Sequence, residues 1–360
     1  MTIAAPFAHL GGMLATDLVQ VADLAADPSV LDRGWWAVVG TFEGELTGYR
    51  FDRVVAADLP PPTGSWPDPA PEGWATSLNR DEYLAGVRRI REHIEAGDVY
   101  QVNLCRMLTA PLSPTADPLV LAHRLSAGNP APWRGVLHMG GRWIVSASPE
   151  LFLSRDGDRL ASSPIKGTTG TAEPFADKDF PENIMITDLV RNDLGRIARP
   201  GSVVVTELLA RQEHPGLAHL VSTVTARRAD GVGWGEILAA TFPPGSVTGA
   251  PKIRALAVIA ELEPVPRQVY CGTFGFVDGD RRRARLAVAI RTFFGAGGRL
   301  HFGTGAGITY SSDPQAEWAE TELKAARLIG LTRSGGLTNP DPGRPGPAPD
   351  PAAERSAAPR

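Results

Sequence analysis

From residue 76 to about residue 332 the sequence mixes helical and strand patterns in no regular order, and this irregularity limits the architecture before any motif is read. A doubly wound parallel sheet needs strand and helix in turn, because each parallel pair of strands requires a crossover connection. Three helices can be placed. The first opens at Asn79, where Glu82 completes a capping-box pattern; Tyr83, Val87, Ile90 and Ile94 then recur at helical spacing until Gly97 ends it. The second spans Asp179 to Val190. The third begins at Asp313-Pro314, an N-cap followed by proline in the first turn, and stops at Gly330. Strand-like runs cover Val99–Leu104, Trp143–Ser146, Leu286–Phe293 and Leu300–Phe302. The mixture predicts an α+β fold.

Residues 1–75 form a separate region, strand-rich at first (Trp35-Trp36-Ala37-Val38-Val39) and then proline-rich. The stretch 59–75 holds six prolines, which predicts an exposed connection. Residues 76–332 read as the main domain. Residues 333–360, rich in Pro, Gly and Ala, read as a disordered tail. A formal net charge of −4 gives no electrostatic footprint for nucleic acid. No apolar run reaches membrane-spanning length and no signal pattern opens the chain, so no membrane association is expected. The two cysteines, Cys105 and Cys271, lack metal-ligand spacing and argue against a disulfide framework, which suits a cytoplasmic setting.

Two acidic pairs are candidates for chemistry. Asp179 and Glu182 lie three apart on the second helix, as do Glu317 and Glu320 on the third, so each pair shares a helix face. If the faces meet, oxygen-only ligands contributed sparsely would suit magnesium; solvated helix faces show the same spacing, and spacing alone leaves both readings open. Lys324 falls on the same face as Glu317. The run Gly303-Thr304-Gly305-Ala306-Gly307 reads as a loop between strand and helix whose backbone N–H groups can receive an anion. Gly245–Lys252 lacks the Gly-Lys-Ser/Thr ending of a phosphate loop, which excludes nucleotide binding there. Lys166, in Ser163-Pro164-Ile165-Lys166-Gly167-Thr168, has apolar and glycine neighbours that favour a neutral, nucleophilic amine. Glu150, in Ser148-Pro149-Glu150-Leu151-Phe152, is an acid among apolar residues, suited to donate a proton. Either side chain also fits a surface charge at a strand end.

These segments together resemble the chorismate-utilising enzymes. The resemblance rests on Tyr100-Gln101-Val102-Asn103-Leu104, Ser148-Pro149-Glu150, Pro164-Ile165-Lys166-Gly167-Thr168, Glu182–Gly195, Pro244–Lys252, Gly305-Ala306-Gly307-Ile308 and Glu317-Trp318-Ala319-Glu320-Thr321, in that order. It implies two intertwined halves with antiparallel sheets and flanking helices around a central active site. It also implies Mg2+ held by Glu182 and Glu320, with Asp179 and Glu317 acting directly or through water. Arg291, Tyr270 and the backbone of Gly305–Gly307 would receive the carboxylates of chorismate, with Lys324 in support. His219 matches the family's active-site histidine, and Thr248 and Gly249 match its substrate-facing turn.

Within the family, Gln101 stands where water-activating members carry lysine, and glutamine cannot act as that base. Lys166 stands where anthranilate synthases usually carry alanine. Pro-Ile-Lys-Gly-Thr together with Tyr-Gln-Val-Asn-Leu is similar to the aminodeoxychorismate synthases. That resemblance implies Lys166 as nucleophile and Glu150 as acid. Neither cysteine has a glutaminase-like setting, and the length leaves no room for an amidotransferase domain, so a separate glutamine amidotransferase is expected to supply ammonia.

Overall fold

The computed structural model describes residues 5–170, 172–214 and 217–334. The predicted tail lies outside the described residues beyond Ser334. Four strands come first: β1 (Phe7–Leu10), β2 (Met13–Asp23), β3 (Trp35–Gly40) and β4 (Leu46–Ala56). After the proline-rich stretch follow β5 (Ala75–Thr76), α1 (Arg80–Glu95), β6 (Gln101–Pro111), α2 (Pro118–Gly128), β7 (Trp133–His138) and β8 (Trp143–Ser148). Next are β9 (Leu151–Asp156), β10 (Arg159–Ser163), β11 (Ile165–Thr169), α3 (Asp179–Gly195), β12 (Val204–His214) and β13 (Leu217–Arg227). The chain continues through α4 (Trp234–Thr241), β14 (Gly249–Ala250), α5 (Lys252–Leu262), β15 (Thr273–Asp278) and β16 (Arg283–Val288). It closes with β17 (Thr292–Ala296), β18 (Arg299–Ile308) and α6 (Pro314–Leu331).

Every pairing between these strands is antiparallel, and the pairings join all eighteen into one sheet. β3, β4 and β2 form its centre. From β3 one arm runs through β15, β16, β9 and β10 to β13, which carries β11 and β12. From β2 the other runs through β1, β7, β8, β17 and β18 to β6, which carries β5 and β14. The chain changes arm four times: β14 makes an excursion to the arm of β6 between β13 and β15, and two crossings lie side by side, between β8 and β9 at Pro149-Glu150 and between β16 and β17 at Ala289–Arg291. Backbone bonds tie the two crossings together: Val288 N–H donates to the Glu150 carbonyl and Ala147 N–H to the Arg291 carbonyl, both at 3.1 Å. The halves are intertwined because hairpins of each arm alternate along the sequence.

Local chemistry explains the helix ends. Asn79 Oδ1 accepts from Glu82 N–H at 3.0 Å while Glu82 Oε2 accepts from Asn79 N–H at 2.8 Å, and Gly97 leaves the helix at φ +79°. Tyr83, Val87 and Ile90 are buried on the inner face. Asp313 caps α6 through Ala316 N–H at 2.9 Å. α3 runs to Gly195 rather than Val190, because Leu194 continues the buried stripe one turn beyond Val190. The run Leu286–Phe293 is not one strand. It breaks at the crossing between β16 and β17, where Arg291 takes φ +50°, and an unbroken apolar pattern gives no sign of that turn. The proline-rich stretch is pinned by Trp66, which is buried against Trp143 in a second core with Leu121, Phe293, Phe302 and Leu328; its indole donates to the Thr332 carbonyl at 2.8 Å.

Candidate active site

β6 brings the first group together. It pairs with β18 on one edge (Gly307↔Asn103) and with β14 on the other (Ala250↔Gln101). Gln101 and Asn103, two residues apart, share a face of the strand. Lys166 on β11 and Glu182 in the first turn of α3 meet that face. Lys166 Nζ lies 2.8 Å from the Glu182 carboxylate and 3.5 Å from Asn103 Oδ1, and Gln101 Nε2 donates to the same Glu182 oxygen. A Cβ on Gly307 would collide with Gln101 Nε2 and Glu182 Oε1, so any other residue there displaces those two side-chain ends. Two readings of the sequence are corrected here. Gly303–Gly307 is strand, not loop; its glycines clear space for Tyr270 at Gly303, Cys105 at Gly305 and the site at Gly307. The surroundings of Lys166 are charged, because α3, distant in sequence, presents Glu182 to it.

The second group joins the two acidic helix faces. Lys178, which precedes α3, lies 3.2 Å from Glu317 and 3.6 Å from Glu320. Lys324 lies 2.7 Å from Glu320 and donates to the Gly305 carbonyl at 3.1 Å. Ser312 donates to Glu317 at 2.7 Å. Asp179 is buried beside Gly167, whose φ of +82° leaves room for its carboxylate, and it accepts from Ala176 N–H at 3.0 Å. Burial raises Asp179 and Glu317 from their ordinary values. Burial also acts upward on Glu320, but Lys324, Lys178 and Lys166 outweigh it and hold that carboxyl low. Burial alone would lower Lys178, yet Glu317 and Glu320 raise it.

These residues fit a small hard cation. Glu317 Oε2 is buried without a hydrogen-bond partner, as is the Gln101 carboxamide oxygen, and the donors are oxygens throughout. Three ammonium groups now neutralise the carboxylates, and among the described residues no three acidic side chains converge closely enough to grip an ion unaided. An ion held here would take over charge that Lys166, Lys178 and Lys324 balance in this structure.

The crossings supply the remaining groups. Glu150 is buried, and burial pushes its carboxyl up to about 7 against the pull of a Ser246 hydrogen bond and the Lys166 charge. Arg291 donates to Nε2 of His219 on β13 at 3.3 Å, and burial brings its guanidinium down to about 10. Thr248 donates to the Pro244 and Gly245 carbonyls at 3.2 and 3.1 Å, and accepts Asn103 N–H on its own carbonyl at 2.8 Å. Gly249, at φ +145°, lies against the Gln101 carbonyl, where no side chain fits. Tyr270 packs its ring on Gly303, farther along β18.

The profile of the chorismate binding enzymes matches residues 43–330. The chain belongs to the chorismate-binding enzyme family. Anthranilate synthase component 1 of Streptomyces coelicolor is 40% identical over 294 residues, which cover 78% of this chain and 56% of that protein. Aminodeoxychorismate synthase component 1 of Salmonella typhimurium is 38% identical over 268 residues, 71% of this chain and 58% of that protein. The chain thus spans a little over half the length of these curated relatives. Anthranilate synthase component I of Streptococcus pneumoniae shares the fold, with a TM-score of 0.76 at 23% identity over 91% of this chain and 93% of that one.

Against this family background, three contributors escaped the sequence reading. Lys178 bridges the two acidic helix faces, and its place directly before Asp179 was the available signal. Asn103 reaches both Lys166 and the Ser246 carbonyl, the latter at 3.2 Å, and strand alternation from Gln101 pointed to it. Ser246 touches Glu150 across a cis-proline-rich turn that no periodicity marks.

Proposed function

We propose that this chain is the synthase component of an aminodeoxychorismate synthase, replacing the C4 hydroxyl of chorismate with an amine. The observation that carries this reading is Lys166, held beside Gln101 and Asn103 in the carboxylate site, with Glu150 buried nearby and raised to about 7. Mg2+ would be held by Glu182 and Glu320, with Asp179 and Glu317 beside it, and when bound it supplies charge neutralisation for the substrate's ring carboxylate. Glu150 donates its proton to the departing C4 hydroxyl, which leaves as water, while the Lys166 amine bonds to C2. Ammonia then bonds to C4 and the C2–lysine bond breaks. The covalent route divides one difficult substitution into two. Attack requires Lys166 to give up Glu182 and to lose its ammonium proton to solvent before substrate binds, and Asn103 is then the neutral neighbour that orients the amine. Gln101 cannot deprotonate water, which weighs against hydration chemistry. Arg291 and Lys324 are the cations left to receive carboxylates.

Ammonia is proposed to come from a glutamine amidotransferase. Both cysteines are buried, and the relatives above are named as component 1 of their synthases. The anthranilate reading is favoured by one observation, the 40% identity to the Streptomyces coelicolor protein. Incubation with chorismate, Mg2+ and ammonium separates the two. The proposed product yields 4-aminobenzoate only after a lyase is added; fluorescent anthranilate formed directly would overturn the assignment.

A further inference from the structure

We propose that Asp193 and Lys252 form a relay that returns a proton to Glu150 between turnovers, through an internal cavity that Glu150 and Asp193 share. The inference rests on the reading of Glu150 as the acid. Glu150 is only 4% exposed, and substrate or product bound against it covers its remaining open side, so a supply of protons from behind is needed during turnover. Behind it lies a cavity of about 20 Å³ lined by Glu150, Ser162, Asp193, Thr241 and Ser246 among others. One water needs roughly 10–15 Å³ and two or more polar partners, and this cavity offers both.

Asp193 stands near the end of α3 and is 7% exposed. Its carboxylate meets Lys252 Nζ, at the start of α5, at 2.6 Å; the same ammonium donates to the Thr241 carbonyl at 3.4 Å. A buried ion pair costs desolvation that an apolar pair of similar volume avoids, so it adds little as a fold-stabilising device. This one has a geometry suited to transfer. The Lys252 side chain is 18% exposed and reaches solvent, Asp193 pairs with Lys252 and lines the cavity, and Glu150 lines the same cavity together with its hydrogen-bond partner Ser246. The charged groups bearing on the two carboxylates are Lys166 on Glu150, and Lys252 and Arg196 on Asp193.

The protons balance. Neutral ammonia forms the new bond and the product amine leaves as ammonium, so the proton that Glu150 gave to the departing hydroxyl is not returned by the chemistry. Glu150 recovers one from the cavity water, the water from Asp193, Asp193 from Lys252 and Lys252 from solvent. Each turnover draws one solvent proton and leaves every group as it began.

The test compares the first turnover with the steady state in rapid-quench assays of the full chain with chorismate, Mg2+ and ammonium. In Asp193→Asn, Glu150 starts protonated, so the first turnover stays within about twofold of wild type while the steady-state rate falls at least about tenfold, as loss of proton delivery requires. Equal losses in both rates, or none, would overturn the relay alone. Wild type that leaves chorismate unchanged would overturn the functional reading and the relay with it. If Asp193→Asn does not fold, Val190→Ile decides the question by the same two rates, because it pushes a methyl group into the cavity and keeps both charges.

Discussion

Lys166 Nζ stands 2.8 Å from the carboxylate of Glu182, and Gln101 donates to the same carboxylate oxygen. The proposed nucleophile is therefore paired with a proposed metal ligand, at the oxygen that Gln101 also holds. If Glu182 were to hold a cation, Lys166 would lose its counter-charge and be released to act as an amine, which would couple the proposed nucleophile to a site ready for a substrate carboxylate.

Glu182→Gln and Glu320→Gln should each reduce chorismate turnover by more than about a hundredfold and weaken Mg2+ binding, because a sparse oxygen shell loses a full charge. Calorimetric titration with Mg2+ and turnover at limiting Mg2+ check this. Wild-type rates and affinities in both variants would remove the metal assignment.

Gly307→Ala should fold but lose activity by about tenfold or more. The added methyl group collides with Gln101 and Glu182, and displacing reacting groups by about 1 Å has costs of this order. Circular dichroism and turnover numbers measured together decide it; full activity would mean that Gln101 and Glu182 need not hold these positions.

Glu150 makes a prediction about pH and stability. Its folded carboxyl is raised from 4.5 to about 7, so the unfolded chain ionises it first as pH rises. The stability associated with the protonated form is complete below the usual carboxylate range and is lost as pH climbs to about 7, on the order of 3 kcal/mol in all. Glu150→Gln lacks this loss. Denaturant midpoints from about pH 4 to about pH 8 should therefore fall in wild type relative to the variant. Parallel curves would show that Glu150 is not held protonated by the fold.

Purified protein should aminate chorismate with ammonium salts and be nearly inert with glutamine until an amidotransferase is added. Glutamine-dependent activity from this polypeptide alone would contradict the two-component proposal.

Much of the site was legible because its residues sit in long, ordered motifs and at helix-face spacing, as with Glu317 and Glu320. The capping box at Asn79 and the N-cap at Asp313 were equally plain, since both are local hydrogen-bond chemistry. What stayed hidden was decided across the chain. The glycines of β18 read as a loop because a strand that must clear Tyr270, Cys105 and Gln101 has the composition of a turn. The ion pair of Lys166 was hidden because Glu182 reaches it from another element, and the turn at Arg291 because the arms cross there inside an apolar run.

The central claim is that Lys166 bonds to the substrate, and Lys166→Arg with saturating ammonium tests it most directly. Arginine keeps the positive charge and the means to hold a carboxylate, but has no nucleophilic amine. Aminodeoxychorismate formation, followed by coupling to a lyase, should fall by more than about a hundredfold, while chorismate binding persists through Arg291 and the carboxylate site. Near-normal formation in Lys166→Arg would contradict the covalent route and leave Lys166 as a clamp for the substrate carboxylate.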